Sequence, residues 1–365
     1  MKKIAVVTAT RAEYGLLRWT IEALRAEPCF DLCLIVAGTH LSPAFGETWR
    51  QIEADGLRID RKIDYLSEDR SPAGIAREMG VCAQRFVDTL SEVRPDLLLV
   101  LGDRYELLPI CNSALILGIP IAHISGGDVT VGAIDNEIRN AVTMMSVLHF
   151  PGTQESAERI VRMRGSAEGV CSVGEPGLEQ CRRLTLLSRE ELARDLGLDP
   201  ARQWVSFSYH PQTRGNIKSD LAEVSQLLDF LLDQASVEVV ATRANADPGG
   251  EQINDLLERR AGGRLHLHAS LGQLRFLSLL KESYCCIGNS SSGIVEAPFF
   301  GTPAINVGRR QEGRHLCANV ISLPSAYGLA AAWATVDAHR IRDNWYGDGH
   351  TSERIVRQLK EWFER

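Results

Sequence analysis

Long hydrophobic runs are missing. The apolar run from Ile4 to Val7 is far too short for a signal-peptide core, and no stretch of the 365 residues could span a bilayer, which makes the cytoplasm the expected compartment. The nine cysteines include no Cys-x-x-Cys pair and several sit in apolar segments, as Cys285 and Cys286 do, so they read as buried thiols rather than disulfides or metal ligands. Positive charge is not in excess: a net charge of -7 excludes a broad nucleic-acid or anionic-membrane surface. No Gly-x-x-x-x-Gly-Lys-Ser/Thr loop is present and no Gly-x-Gly-x-x-Gly follows the first apolar run, which removes support from ATPase and NAD-dehydrogenase readings. Gly288-Asn289-Ser290-Ser291-Ser292 lacks the second glycine of a nucleophile elbow, so a serine hydrolase is disfavoured. Low-complexity tracts and fixed-period repeats are absent as well.

What is present is a globular composition, 44% hydrophobic and 24% charged, in a chain long enough for two α/β domains. Short apolar runs alternate with longer amphipathic stretches, the pattern of β-α-β units around a parallel sheet. Strands are expected at Lys3–Thr8, Leu32–Ala37, Leu97–Leu101, Ile119–Ile124 and Val147–Phe150, with helices at Tyr14–Ala26, Ser71–Val93, Glu106–Leu117 and Asp135–Met144, the last capped by Asp135. A second series places strands at Trp204–Ser208, Val237–Ala241, Leu265–Leu267, Tyr284–Ile287 and Pro303–Val307. The glycines and proline at the start of 174–184 mark a linker. The expected division is a first domain over 1–172, a second over 173–349, and a terminal helix over 350–365 that packs back on the first.

Ligands of open parallel sheets sit outside the carboxyl ends of the strands, so polar residues just after each apolar run carry the most information. Arg11 and Glu13 follow the first run, where a helix begins and an arginine can face a phosphate. Asp103 and Arg104 end the third, Asp103 being a candidate general base. Ser125-Gly126-Gly127-Asp128 ends the fourth and leads to Asp135, Glu137 and Arg139. In the second half His210 precedes Pro211, and Asn245 lies in a turn-forming loop. The small-residue turn with Ser290 and Ser291 suits a diphosphate; Glu296 just beyond it suits a neutral diol such as a ribose. Arg309, Arg310 and Arg314 supply guanidinium forks for a departing diphosphate.

The ordered set Arg11-Ala12-Glu13-Tyr14, Gly102-Asp103-Arg104, Gly126-Gly127-Asp128 with Gly132-Ala133-Ile134-Asp135, His210-Pro211, Gly288-Asn289-Ser290-Ser291, Glu296, and Arg310-Gln311 with Gly313-Arg314 resembles the hydrolysing UDP-N-acetylglucosamine 2-epimerase family, in its branch serving nonulosonic (sialic and legionaminic) acid synthesis, over nearly the whole chain. The resemblance implies a GT-B fold, two Rossmann-like domains with parallel sheets and a cleft between them, UDP on the second domain and the sugar facing the first. It implies acid/base work by Asp103, Asp128, Asp135 and His210, and binding of the UDP-activated amino sugar by Arg11, Glu13, Arg104, Ser125, Asn245, Ser290, Ser291, Glu296, Arg310 and Arg314. The reaction it implies needs no metal or redox cofactor, and a homo-oligomer, dimer or tetramer, is expected. Members acting on UDP-N-acetylglucosamine typically have glutamate where this chain has Ser125, and those acting on the 2,4-diacetamido-trideoxy sugar commonly have histidine there, so either sugar is an expected substrate. The competing reading is a GT-B glycosyltransferase with a UDP-amino sugar donor, against which the chain offers only 6% aromatics for an acceptor platform.

Overall fold

The computed structural model describes residues 1–69, 71–129, 134–212, 216–245 and 249–365. The chain forms two compact units, Met1–Glu179 with Gly347–Arg365, and Gln180–Tyr346.

In the first unit, β1 (Lys2–Thr8), β2 (Phe30–Ala37), β3 (Arg61–Ile63), β4 (Leu97–Leu101), β5 (Ile121–Ile124) and β6 (Leu148–Phe150) make one parallel sheet in the order β3-β2-β1-β4-β5-β6. Alternate residues of its strands feed two cores. Ile4, Val6, Leu97 and Leu99 pack on one face with Leu17, Ile21 and Leu24 of the helix Arg11–Ala26. Ala5, Val7, Leu98 and Val100 pack on the other with Phe86 and Leu90 of the helix Pro72–Val93 and Ile110 of the helix Leu107–Ile116. A sheet covered on both faces explains why its strands read as unbroken apolar runs. Burial of each such Leu or Ile contributes about 1.5–3 kcal/mol. The helix Thr351–Phe363 adds Ile355 and Leu359 to the first of these cores, with Phe363 against Phe30 at 6.0 Å between ring centroids.

In the second unit, β7 (Gln203–Ser208), β8 (Val237–Thr242), β9 (Leu265–His268), β10 (Cys285–Gly288), β11 (Ala304–Val307) and β12 (Val320–Leu323) are again all parallel, in the order β12-β11-β10-β7-β8-β9. Counted from its own first strand, this sheet repeats the order of the first, which is the doubly wound Rossmann order. Two such α/β units are the parts of a GT-B architecture. The order reverses between β1 and β4 in one sheet and between β7 and β10 in the other, and those switch points are where a ligand crevice forms.

The structure also departs from the sequence reading. The edge strands β3 and β12 were not expected, because edges half open to solvent carry no continuous apolar run. Asp135 is the first helical residue of Asp135–Met145 with Ile134 at the cap position, so it lies in the first turn rather than capping it. The segment 174–184 contains a helix, Leu178–Arg183, whose Glu179 accepts from the backbone N–H of Ser352 at 2.8 Å. All nine cysteines are free, and Cys29 is exposed.

Candidate functional site

At the switch point of the first unit, Thr10 caps the helix Arg11–Ala26 and Glu13 closes a capping box, its Oε2 accepting from Ala9 N at 2.8 Å and Thr10 N at 3.0 Å. Glu13 therefore points inward at the chain, while Arg11 beside it is exposed. Burial first, and then the charge of Glu106, push the Glu13 carboxyl up to about 7.

The end of β4 brings the acids together. Asp103 forms an ion pair with Arg139, whose Nη1 also donates to the backbone carbonyl of Asp128 at 2.9 Å, so one guanidinium joins the loop after β4 to the loop after β5. Asp128 is fixed from its other side by Ser156 Oγ at 2.5 Å, next to Thr153, the cap of the helix Gln154–Arg164. Asp135 feels burial first and then the charge of Asp103, both raising its pKa, while Arg139 and Arg104 oppose them. Arg104 donates from Nε to Glu106 at 2.6 Å. Ser125 holds a left-handed backbone, φ 59°, immediately after β5, a conformation uncommon for a residue with a Cβ. His123 is completely buried; its Nε2 lies 2.7 Å from the carbonyl of Gly102, and burial holds its pKa down to about 4, so the ring is neutral and joins β5 to the turn that carries Asp103.

At the switch point of the second unit, Asn289 follows β10 and His210 follows β7, and the Asn289 amide bonds both backbone groups of His210. His210 Nδ1 accepts from the backbone N–H of Asn245 at 3.1 Å, so these two expected residues meet. Arg310 Nη1 and Gln311 Nε2 donate to the carbonyl of Asn289 at 3.2 and 2.8 Å. Ser290, Ser292, Ser206, Ser208 and Asn306 line a partly open pocket. Ser291 begins the short helix Ser292–Val295, and Glu296 follows it with Oε2 out of solvent and without a hydrogen-bond partner among the described residues. Burial raises the Glu296 carboxyl and the charge of Arg314 opposes that shift. Gly132, Ala133, Thr213, Ala246, Asp247 and Pro248 lie outside the described residues.

The sequence places Glu106 at the start of one expected helix and Arg139 inside another without pointing to a task for either, and it points to none for Asn289 or Gln311. Arg139 carries a readable signal, since it stands four residues after Asp135 on one helix and so shares its face. For Asn289 no local signal exists, because its partner is 79 residues away.

Residues 22–360 match a family described as UDP-N-acetylglucosamine 2-epimerase. The chain is 35% identical over 323 residues, 88% of its length and 84% of the relative's, to the GDP/UDP-N,N'-diacetylbacillosamine 2-epimerase (hydrolyzing) of Campylobacter jejuni. It is 32% identical over 368 residues, 99% and 96% of the two chains, to the UDP-N,N'-diacetylbacillosamine 2-epimerase (hydrolyzing) of Legionella pneumophila. Among solved structures it is similar to the UDP-GlcNAc 2-epimerase of Neisseria meningitidis bound to UDP-GlcNAc, with a TM-score of 0.81 at 17% identity over 99% of this chain and 100% of that one.

Proposed function

The chain belongs to the UDP-N-acetylglucosamine 2-epimerase family, and from that premise we propose that it is a hydrolysing 2-epimerase that takes a UDP-activated 2-acetamido sugar to UDP and the free 2-epimer. The sugar is the 2,4-diacetamido-2,4,6-trideoxy-gluco compound in preference to N-acetylglucosamine. Relatives named for the diacetamido sugar are 35% and 32% identical, whereas the Neisseria meningitidis relative named UDP-N-acetylglucosamine 2-epimerase is 29% identical.

In the proposed reaction a base removes the C2 proton. The electron pair of that C–H bond forms the C1=C2 double bond as the C1–O bond breaks, and UDP leaves with the bonding pair. Water then adds its oxygen to C1 and gives up one proton to a neighbouring carboxylate, while an acid delivers a proton to C2 on the face opposite the one that lost it. Two proton-transfer groups and a strong anion site are required.

The observation that carries the reading is the group of carboxylates at the β4 and β5 ends, Asp103 paired to Arg139 with Asp135 within electrostatic reach. The ion pair with Arg139 holds Asp103 in place, as a base must be held. Asp135, whose pKa is raised by burial and by the charge of Asp103, is the candidate acid; Asp128, bonded to Ser156, is the further proton-transfer candidate. In the second unit, Ser290, Ser291 and Arg310 bind the diphosphate. The buried, donor-less oxygen of Glu296 accepts from the ribose hydroxyls, and Arg314 balances its charge. Arg11, Arg104, Ser125, Asn245 and His210 complete the phosphate and sugar contacts, while Glu13 shapes the turn that presents Arg11. The alternative from another reaction class, sugar transfer to an acceptor, finds no relative named for it among those above.

Incubation in deuterated water with each sugar nucleotide, followed by proton NMR, tests this. Free UDP with a manno-configured sugar carrying deuterium at C2 is the expected product. Intact sugar nucleotide in both samples, with turnover only on adding an acceptor, would replace the epimerase by a transferase.

A further inference from the structure

His210 stands beyond the end of β7, before Pro211, where no strand ladder fixes its backbone. One side chain does so instead. Asn289 Oδ1 accepts the backbone N–H of His210 at 2.7 Å, and Asn289 Nδ2 donates to the backbone carbonyl of the same residue at 2.7 Å. Asn289 has 0% of its surface exposed, so no water competes for either bond. An asparagine amide is the one short side chain that offers a donor and an acceptor at this spacing, matching the two polar groups of a single residue.

The main chain of Asn289 does different work. Its carbonyl accepts from Gln311 and Arg310, and the next residue is Ser290. The side chain therefore holds the histidine, and the backbone holds the anion-binding side. The ring of His210 is further defined by Asn245, whose N–H donates to Nδ1 at 3.1 Å. An accepting Nδ1 places the proton of the neutral imidazole on Nε2.

We propose that Asn289 is a positioning residue that sets the place of His210 and, through it, the Nε2–H tautomer of its ring. The use made of His210 in turnover rests on the epimerase reading above; its placement and tautomer belong to the free protein. The discriminating substitution is Asn289→Asp, which keeps an acceptor for the His210 N–H, loses the donor to its carbonyl, and leaves the Gln311 and Arg310 bonds intact. Asn319→Ala is the control: Asn319 is equally buried and donates to Thr302 at 2.8 Å, touching neither His210 nor Arg310.

Nitrogen-15 NMR of histidine-labelled protein reads the tautomer directly, with the His210 signals identified by their loss in His210→Asn. The expected result for Asn289→Asp is a His210 ring that no longer shows the single Nε2–H pattern and a kcat lowered roughly a hundredfold, the effect of about 1 Å of misplacement. Asn319→Ala should lower the melting temperature and leave both the His210 pattern and kcat as they are. An unchanged His210 pattern and kcat in Asn289→Asp overturn the proposal, and so does the same spectral change in Asn319→Ala, which would mean general loosening. A wild-type protein that releases no UDP from either sugar nucleotide sinks the epimerase reading instead, and the tautomer measurement still decides this one.

Discussion

Glu106 presents one carboxylate oxygen to Nε of Arg104 at 2.6 Å, while its other oxygen is buried without a partner among the described residues. Glu106 itself is only 2% exposed, yet the Arg104 side chain keeps 39% of its surface. The glutamate thus anchors the arginine by one edge and leaves the outer guanidinium facing solvent, where a substrate anion would meet it. A charge-assisted bond of this kind contributes about 1.5–3 kcal/mol. Glu106→Gln, which keeps an acceptor and removes the charge, should raise KM and lower kcat/KM by roughly tenfold; steady-state UDP release measures both, and unchanged values would show that Arg104 needs no anchor.

The pairing of Asp103 with Arg139 predicts a split of another kind. Asp103→Asn keeps a hydrogen-bond acceptor for Arg139 but cannot take a proton, so turnover should fall by at least about a hundredfold, the typical contribution of a general base, with UDP affinity retained. Single-turnover rates and calorimetry separate the two. Equal loss of both would mean that Asp103 organises the loops rather than reacting.

Glu13 should leave a mark on stability rather than on the chemical step. Its folded-state pKa, about 7, lies above the ordinary 4.5, so the native state holds a proton that the unfolded chain releases between those values. The stabilisation is fully present below pH 4.5 and is lost as pH rises through 7. It amounts to at most about 3 kcal/mol. Urea unfolding of wild type and Glu13→Gln at pH 5 and pH 8 isolates it: the difference between the two proteins should move against the wild type at the higher pH.

His149 predicts the opposite sign. Burial, aided by the charge of Arg164, pulls its pKa from 6.5 to about 3, and neither ring nitrogen has a hydrogen-bond partner of ordinary geometry among the described residues. Its folded pKa is depressed, so the unfolded chain gains a proton first as pH falls, and stability is lost below 6.5. His149→Phe, apolar like its neighbours Leu148 and Phe150, should be close to neutral at pH 8 and stabilising at pH 5. Thermal unfolding at the two pH values tests it, and equal shifts at both would refute the buried neutral ring.

Gly288, the last residue of β10, has φ 139° and lies where an added Cβ would collide with the carbonyl of Ser208 on β7. Gly288→Ala should cost about 2–4 kcal/mol and displace Asn289 next to it, so that stability and turnover fall together. A folded variant of normal stability would show that β7 and β10 can part without loss.

The sequence by itself determined that apolar runs alternate with amphipathic stretches, and hence that parallel sheets form with polar residues at their strand ends. That much is local: side-chain period and the break from apolar to polar residues are properties of a dozen neighbouring positions. The positions of Asp103, Asp128, His210 and Ser290 were legible for that reason. The short edge strands Arg61–Ile63 and Val320–Leu323 were not, since half-exposed strands lack an apolar signature. The tertiary structure alone decided which strand ends become neighbours. The strand order sets β10 beside β7 and β4 beside β5, and with it the bonds from Asn289 to His210, 79 residues apart, and from Arg139 to Asp103, 36 apart. Such bonds depend on crossover connections and on packing on both sheet faces, which no short window of sequence encodes.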